Sequence, residues 1–216
     1  MIRPSLPPAA LFDENRTVVL HGVAWDTYQV LRRDESNWHL RMTYDRGELE
    51  LMSPSKVHAR ITNVFGRMID AWCDHKKIAF EGFDPLTFQR GDLDRGLEPD
   101  RCYYIAHADA VQGDAELDLA RDPPPDLALE VDIASSSERK MRLYETLGFP
   151  ELWRYVGGQA RVYRLGADCL YKPSEKSHAL PGFPLQLAES LLDQCGTRDA
   201  TSLLRSFRKQ IRKDEG

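Results

Sequence analysis

The alternation of apolar and polar positions predicts a mixed α/β domain, and residues 126–155 show it most clearly. This stretch reads as a buried strand, a helix and a second strand in quick succession. Side chains in a strand point alternately to its two faces, so the first strand has one apolar face and one face with two carboxylates. The apolar face consists of Leu127, Leu129, Val131 and Ile133, and the other face of Ala128, Glu130 and Asp132.

Shorter runs of the same alternation predict further strands, and a helical repeat of apolar positions predicts helices. We expect strands over residues 17–20, 39–44, 48–52, 78–82, 86–89, 99–105, 160–165 and 169–171, with a hairpin turn at 45–47. A helix over residues 26–33 takes Asp26 as its expected N-cap, and two short helices form the tail. The longest helix follows Ser55 and has one apolar stripe, formed by Val57, Ile61, Val64, Met68 and Trp72.

Composition places the chain among ordinary soluble proteins. Its 216 residues suit one globular domain, with 42% apolar and 29% charged residues. The formal charge of −5 argues against a nucleic-acid coat protein, but it is compatible with an enzyme that contacts nucleic acid through a local basic patch. The four cysteines lie far apart without a C-x-x-C pair, which indicates neither a zinc site nor a disulfide framework.

The N-terminus and the hydropathy of the chain bear on its location. The first residues lack the charged region and apolar core of a secretion signal. No apolar run approaches the length of a membrane span. We therefore expect a cytoplasmic protein without a membrane partner.

Glu130 and Asp132 are the first candidates for chemistry, because carboxylates in an otherwise apolar strand are costly to bury without a compensating charge. Asp100 follows Pro99 at the mouth of another predicted strand and could join Glu130 in binding a divalent cation. Mg²⁺ takes a few carboxylates and keeps several waters, and the backbone carbonyl of Val131 is a candidate third ligand. Short motifs also arise by chance, so a turn role for Asp100 and an arginine salt bridge for Glu130 stay open.

Lys140 is the third candidate, early in the helix that follows the Glu130 strand. The serines at 135–137 precede it, and their hydroxyls suit helix capping. A lysine here could reach back to the sheet edge, orient a metal-bound water and neutralise charge on a phosphate. The alternative is a solvated lysine beside Arg139 and Arg142, and the residue pattern alone favours that alternative.

Several ordered motifs resemble the Uma-two restriction endonuclease family of the PD-(D/E)XK nuclease superfamily. They are GLEPDRCYYI, DPPPDLALEVDIASSS and the segment from Lys140 to Tyr144 that runs into LGFPELWRY. Upstream, YDRGELELMSPSKVHARI resembles the hairpin and first core helix of the family. The resemblance covers residues 17–165 and rests on motifs at compatible spacing, which makes it far more specific than a Pro-Asp pair.

The resemblance implies a restriction-endonuclease-like α/β fold, with a central mixed sheet flanked by helices. By matching position, Asp100 and Glu130 become metal ligands, and Mg²⁺ is the expected cofactor, with Mn²⁺ as an alternative. The superfamily usually has a lysine two residues after the glutamate, where this chain has Asp132. A basic residue of the next helix takes that place in the family, which maps onto Lys140. Asp132 then either adds a ligand or bonds to the serine-rich turn.

Two further positions have a supporting role by the resemblance. Glu48 lies in the hairpin, where the family has an acid that could complete the metal site. A solvent-facing acid on an edge strand is an equal alternative for Glu48 and the favoured one for Glu50. His58 lies at the margin of the long helix's apolar stripe and could assist phosphate binding, although an exposed histidine is the commoner outcome.

Some conspicuous side chains in the last strand of residues 126–155 and in the tail are best explained by a structural role. Trp153 and Tyr155 fall on one side of an apolar strand and are expected in the core. The tail helix over residues 198–213 could hold a phosphate backbone, but we favour a solvated face. Its basic residues are Arg205, Arg208, Lys209, Arg212 and Lys213.

The expected organisation has three parts: an extended segment over residues 1–16, a nuclease-like domain over 17–172 and a helical extension over 173–216. A homodimer is expected to form through edge strands of the hairpin region or through the apolar face of the tail helix.

The leading functional hypothesis is a Mg²⁺-dependent endonuclease that acts on DNA. The alternative is a non-catalytic binding or assembly protein on a nuclease scaffold, which the acidic net charge and the missing strand lysine favour. A third hypothesis is metal-assisted hydrolysis of a different phosphoester, because a fold does not dictate its substrate.

Overall fold

The computed structural model describes residues 15–113, 117–132 and 138–213, which form two sheets and five α-helices. The strands are β1 (Arg16–His21), β2 (Arg41–Asp45), β3 (Glu48–Ser53), β4 (Glu81–Phe83), β5 (Phe88–Arg90), β6 (Arg95–Leu97), β7 (Arg101–Tyr104), β8 (Leu127–Asp132), β9 (Glu151–Val156), β10 (Gln159–Leu165) and β11 (Tyr171–Ser174). The helices are α1 (Trp25–Arg33), α2 (Lys56–Lys76), α3 (Glu138–Leu147), α4 (Leu185–Leu192) and α5 (Ala200–Lys213).

The central sheet has six strands in the order β11-β10-β9-β8-β7-β4. Strands β8 and β9 pair in parallel, and the other neighbours pair antiparallel. Parallel neighbours need a crossover connection, and α3 lies in that connection. The predicted central mixed sheet flanked by helices is confirmed.

The N-terminal sheet has five strands in the order β1-β3-β2-β6-β5, all antiparallel. The predicted hairpin of β2 and β3 lies inside it, and β1 forms one edge, as expected for the strand over residues 17–20. A small apolar cluster below this sheet packs against α1 and consists of Tyr28, Met42, Tyr44 and Leu49.

The two faces of the central sheet carry separate apolar cores. Helices α2, α4 and α5 cover one face, where the predicted stripe of α2 packs against Leu127, Leu129 and Val131. Trp153 and Tyr155 are buried in this core, which confirms the prediction that they are core residues. The other core holds side chains of β7, β8 and α3 and is formed by residues such as Cys102, Tyr104, Ala128, Leu143 and Tyr144.

Four expectations about elements are wrong. Helix α1 begins at Trp25 with Ala24 as its N-cap, so Asp26 lies in the first turn. Strand β6 was not expected, because a three-residue strand has too few positions to show alternation. Strand β11 begins only at Tyr171, since Cys169 has a left-handed φ of 58° in the preceding turn. The apolar face of α5 is buried in the chain's own core, so it cannot pair two subunits.

Some expectations fall outside the described residues: the extended segment up to residue 14, the face assigned to Ile133, and capping by the serines at 135–137. The division of the chain into three parts stays a prediction. Of the helices in the described part of the chain, none combines membrane-spanning length with the apolar character that a bilayer requires.

Candidate active site

Asp100 and Glu130 are brought together by the pairing of β7 with β8. The antiparallel register places Arg101 opposite Leu129, and continuing it by one residue places Asp100 opposite Glu130. The N–H of Val131 donates to Oδ2 of Asp100 at 2.8 Å, which ties the two strands together at this point. The two carboxylates are buried, with 4% and 2% of their residue surface exposed.

Helix α2 places His58 beside Asp100. Ser55 caps the helix by accepting a hydrogen bond from the N–H of His58 at 3.1 Å. The His58 Nε2 atom then lies 2.9 Å from Oδ1 of Asp100. The side-chain amide nitrogen of Asn15 lies 2.9 Å from His58 Nδ1. An amide nitrogen can only donate, so Nδ1 accepts and Nε2 carries the proton that binds Asp100.

The burial of His58 overturns the expectation of an exposed histidine. Only 2% of the residue is exposed, because α2 approaches β7 closely. Gly66 allows this approach: a Cβ atom there would lie 2.1 Å from Nη1 of Arg101, whose side chain crosses the helix. The hydroxyl of Tyr103 also donates to the carbonyl oxygen of Gly66 at 3.1 Å. These contacts fix the helix against the strand that precedes the site.

Helix α3 contributes Lys140 and Tyr144 from the opposite side. The Lys140 ammonium lies 2.6 Å from Oε2 of Glu130, and the Tyr144 hydroxyl donates to Oε1. Both side chains are largely buried, so the favoured alternative of a solvated lysine is wrong. The sequence analysis did not identify Tyr144 as a site residue. Its four-residue spacing from Lys140 was the available signal, because it places both side chains on one helix face.

The two carboxylates have opposite electrostatic environments. Burial raises the pKa of Asp100, but the hydrogen bond from His58, the charge of Lys140 and the N–H of Val131 together hold that pKa below its usual range. Burial raises the pKa of Glu130 to about 7, and the negative charges of Asp100 and Asp132 add to the rise, while Lys140 opposes it. The sign of each shift follows from whether neighbours stabilise the charged form.

Lys140 stays charged in this environment. Burial alone lowers the pKa of its ammonium, but the negative charges of Glu130 and Asp100 outweigh burial and raise that pKa above its usual value. These mutual effects show that the three charges lie close enough to interact. The site therefore combines two buried carboxylates that lie far apart in sequence with one buried ammonium.

Asp132 lies two residues beyond Glu130 and is bound by Arg154. Nε of Arg154 donates to Oδ2 of Asp132 at 3.2 Å, and its Nη2 donates to the same oxygen. Arg154 lies on β9 opposite Glu130 in the parallel register and is 5% exposed. Sequence reasoning missed it, although an arginine inside the apolar run ELWRYV was a visible signal.

Glu48 lies at the start of β3, and its carboxylate pairs with Arg139, the residue before Lys140. Nδ1 of His21 also lies 3.5 Å from it. Glu48 is partly exposed, so it joins the N-terminal sheet to α3 at the margin of the site. Glu50, the next acid on β3, is partly exposed and lies opposite Thr43 of β2.

The donor set of the site fits a hard divalent cation with few protein ligands. Among the described residues, no group of three or more His, Cys, Asp or Glu side chains is arranged to hold a metal ion. The oxygens of Asp100 and Glu130, with the main chain at Val131, match an ion such as Mg²⁺ that keeps several waters. Burial raises the pKa of Glu130 most, and the charges of Asp100 and Asp132 raise it further; a nearby cation opposes both effects by stabilising the ionised form.

Comparisons with known proteins point to one kind of protein. A family model named Uma2, with the description “Putative restriction endonuclease”, matches residues 25–192. A solved structure, “a putative nuclease belonging to DUF820 from Anabaena variabilis ATCC 29413”, shares the fold with a TM-score of 0.52 and 18% sequence identity. The match covers 86% of this chain and 99% of that chain. No curated protein shows a significant match.

Proposed function

The chain belongs to the Uma2 family of restriction-endonuclease-like nucleases, and from this premise we propose that it is a metal-dependent endonuclease that hydrolyses phosphodiester bonds in DNA. The observation that carries the proposal is the convergence of Asp100, Glu130 and Lys140 at the junction of β7, β8 and α3. A pair of carboxylates next to an amine supplies the charges that metal-assisted phosphodiester hydrolysis uses.

Asp100, Glu130 and the carbonyl of Val131 are the proposed metal ligands, with Mg²⁺ as the ion and Mn²⁺ as an alternative. When bound, such an ion polarises the scissile phosphate and lowers the pKa of water. His58 orients Asp100 and keeps it ionised by donating from Nε2. Because Asp100 is held charged at neutral pH, it is the permanent anion of the proposed site.

Lys140 and Tyr144 hold the Glu130 carboxylate from α3. In the proposed mechanism, Lys140 supplies the positive charge that would stabilise negative charge on the phosphate in the transition state. Asp132 remains with Arg154 and keeps the end of β8 in place. Glu48 acts indirectly, because its pair with Arg139 positions the start of α3.

The test is cleavage of supercoiled plasmid DNA with Mg²⁺ or Mn²⁺ by purified Asp100→Ala and Glu130→Ala proteins. We expect both variants to lose cleavage and to keep the circular dichroism spectrum of the unmodified protein. Asp74→Ala is the matched control, because this aspartate is exposed on α2 outside the site. Full activity of folded Glu130→Ala protein contradicts the mechanism.

One observation favours the non-catalytic alternative. All four carboxylate oxygens of Asp100 and Glu130 already face a hydrogen-bonding partner within the protein. A purely structural network needs no cation. Calorimetric titration of the unmodified protein with Mg²⁺ and Mn²⁺ discriminates, because the nuclease hypothesis requires binding that Asp100→Ala removes, whereas the alternative requires none.

A further inference from the structure

Helix α2 and helix α5 each carry a row of exposed, positively charged side chains. The cations share two properties: each is exposed, and none forms a salt bridge or side-chain hydrogen bond with another described residue. They are Lys56, Arg60 and Arg67 on α2, and Arg205, Arg208, Lys209, Arg212 and Lys213 on α5.

Local charge on these two helices is positive although the whole chain is acidic. Helix α5 contains no Asp or Glu, and α2 has its first acid at Asp70, after Lys56, Arg60 and Arg67. Some exposed cations elsewhere have an acidic partner: Arg121 pairs with Asp118, and Lys172 pairs with Asp168. An unbalanced group of cations attracts a polyanion more strongly than paired cations do.

The two rows belong to one surface. Both helices cover the same face of the central sheet, and α5 packs directly against α2. The loop that leads into α5 lies beside the first turns of α2: burial raises the pKa of Cys195 in this loop, and the nearby charge of Arg60 opposes the rise. The row on α2 begins in the same turn as His58 but on the opposite face of the helix, because Lys56 and Arg60 each lie two residues, or about 200° of helix rotation, from His58.

We propose that the outer faces of α2 and α5 form a binding surface for the phosphodiester backbone of double-stranded DNA. This inference rests on the proposed nuclease function and names the surface by which its substrate binds. Lys56 and Arg67 are eleven residues apart, so the α2 row is about 16 Å long. A duplex carries one charge per ~1.7 Å of its axis, so several phosphates fall within that length.

The shape and composition of the surface favour a duplex over a single strand. Packed helices lie about 8–10 Å apart, so the two rows form a broad face and not a narrow groove. Proteins that hold single strands use exposed aromatic side chains on which the bases stack. Phe65, Trp72 and Phe207, the aromatic rings of α2 and α5 besides histidine, are buried.

The experiment measures binding separately from cleavage, by fluorescence anisotropy of a labelled DNA duplex in EDTA. Two triple variants each remove one row: Arg205→Gln/Arg208→Gln/Arg212→Gln and Lys56→Gln/Arg60→Gln/Arg67→Gln. Each is expected to weaken binding at least about tenfold and to lower the slope of log affinity against log salt by about 2 to 3, since each phosphate contact contributes about 0.9.

A matched control removes the same charge from elsewhere: Arg121→Gln/Arg161→Gln/Lys172→Gln. These three residues are exposed and lie outside α2 and α5. The control is expected to bind DNA within about twofold of the unmodified protein, because scattered surface charges make no phosphate contact. Equal weakening by the control and by the two row variants overturns the proposal, since only net charge would then matter.

Further outcomes separate this surface from the nuclease hypothesis. Glu130→Ala is expected to bind the duplex normally while it fails to cleave. If both row variants bind as well as the unmodified protein, the surface is wrong even where Asp100→Ala still abolishes cleavage. Tighter binding to phosphatidylserine vesicles or to single-stranded DNA than to the duplex also overturns it, because the surface would then serve a different polyanion.

Discussion

The candidate active site has one carboxylate on its α2 side and one on its α3 side, and the two carboxylates have different environments. On the α2 side, Asp100 receives bonds from His58 and from the N–H of Val131, and its pKa is held below its usual range. On the α3 side, Glu130 is bound by Lys140 and Tyr144, yet its pKa is raised to about 7. Burial raises the pKa at both positions, so the neighbours decide the outcome.

The difference teaches that one ammonium does not keep a buried carboxylate at its ordinary pKa when other carboxylates lie nearby. Lys140 lowers the pKa of Glu130, but burial and the charges of Asp100 and Asp132 outweigh it. Asp100 gains from a charge-assisted bond and from a backbone donor, both of which favour the ionised form. We therefore expect Asp100 to stay ionised under all working conditions, and Glu130 to change its state when a cation binds.

Removing Lys140 is expected to have the largest effect. In Lys140→Met the Glu130 carboxylate loses its charged partner, so its pKa rises further above about 7, and the proposed reaction loses one stabilising charge. Loss of one such group costs about 10²–10³ in rate, measured by the initial rate of plasmid cleavage across pH. Lys172→Met, on the exposed β11, is the control, and equal rates for Lys140→Met and unmodified protein contradict the proposed role.

The pH dependence of stability sharpens the comparison. Glu130 binds protons more tightly in the folded protein, where its pKa is about 7, than in the unfolded chain, where it has its ordinary value of 4.5. Its contribution to the free energy of unfolding therefore falls by about 3 kcal/mol as pH rises from 4.5 to about 7. Asp100 has the opposite sign: its stabilisation is present above its usual pKa and is lost as pH falls through the folded pKa.

Urea unfolding in EDTA at about pH 5 and about pH 8 measures this effect. Glu130→Gln removes the titrating group and keeps the side-chain shape, so its stability is expected to change less between the two pH values. The interpretation fails if the unmodified protein and the variant lose the same stability over this range. Added Mg²⁺ is expected to reduce the loss in the unmodified protein, because a bound cation stabilises the ionised form.

Tyr144→Phe is expected to have an intermediate effect. The phenyl ring keeps its packing against Phe149 in the apolar core, while Glu130 loses the donor on Oε1. We expect a loss of about 1.5–3 kcal/mol in the free energy of unfolding, the usual contribution of one hydrogen bond to a charged group. Tyr163→Phe, on β10 away from the site, is the matched control. Equal losses of stability in the two variants would contradict the proposed hydrogen bond from Tyr144 to Glu130.

Glu48→Gln is expected to have the smallest effect. Its pair with Arg139 is partly exposed, and such pairs contribute about 0–1 kcal/mol to stability. Cleavage is expected to fall by less than about tenfold, because a surface pair of this size only positions the start of α3. A loss as large as that of Glu130→Ala in the plasmid assay would instead make Glu48 a direct participant.

The sequence by itself determined the elements and the two carboxylates. The alternation in β8 predicted which side chains enter the core, because a strand exposes successive residues to opposite faces. The stripe of α2 was readable for the same kind of reason. Asp100 and Glu130 stand in short motifs with fixed spacing to their strands, so they could be named before any contact was known.

Only the tertiary structure decided what surrounds those carboxylates. His58 and Asp100 are 42 residues apart, and their contact exists because α2 docks on β7. Tyr144 and Arg154 reach the site from α3 and β9, and no local pattern fixes those approaches. Burial and the arrangement of charges set a pKa, and both arise when distant segments pack. The opposite behaviour of Asp100 and Glu130 is therefore a property of the fold and cannot be read from either strand.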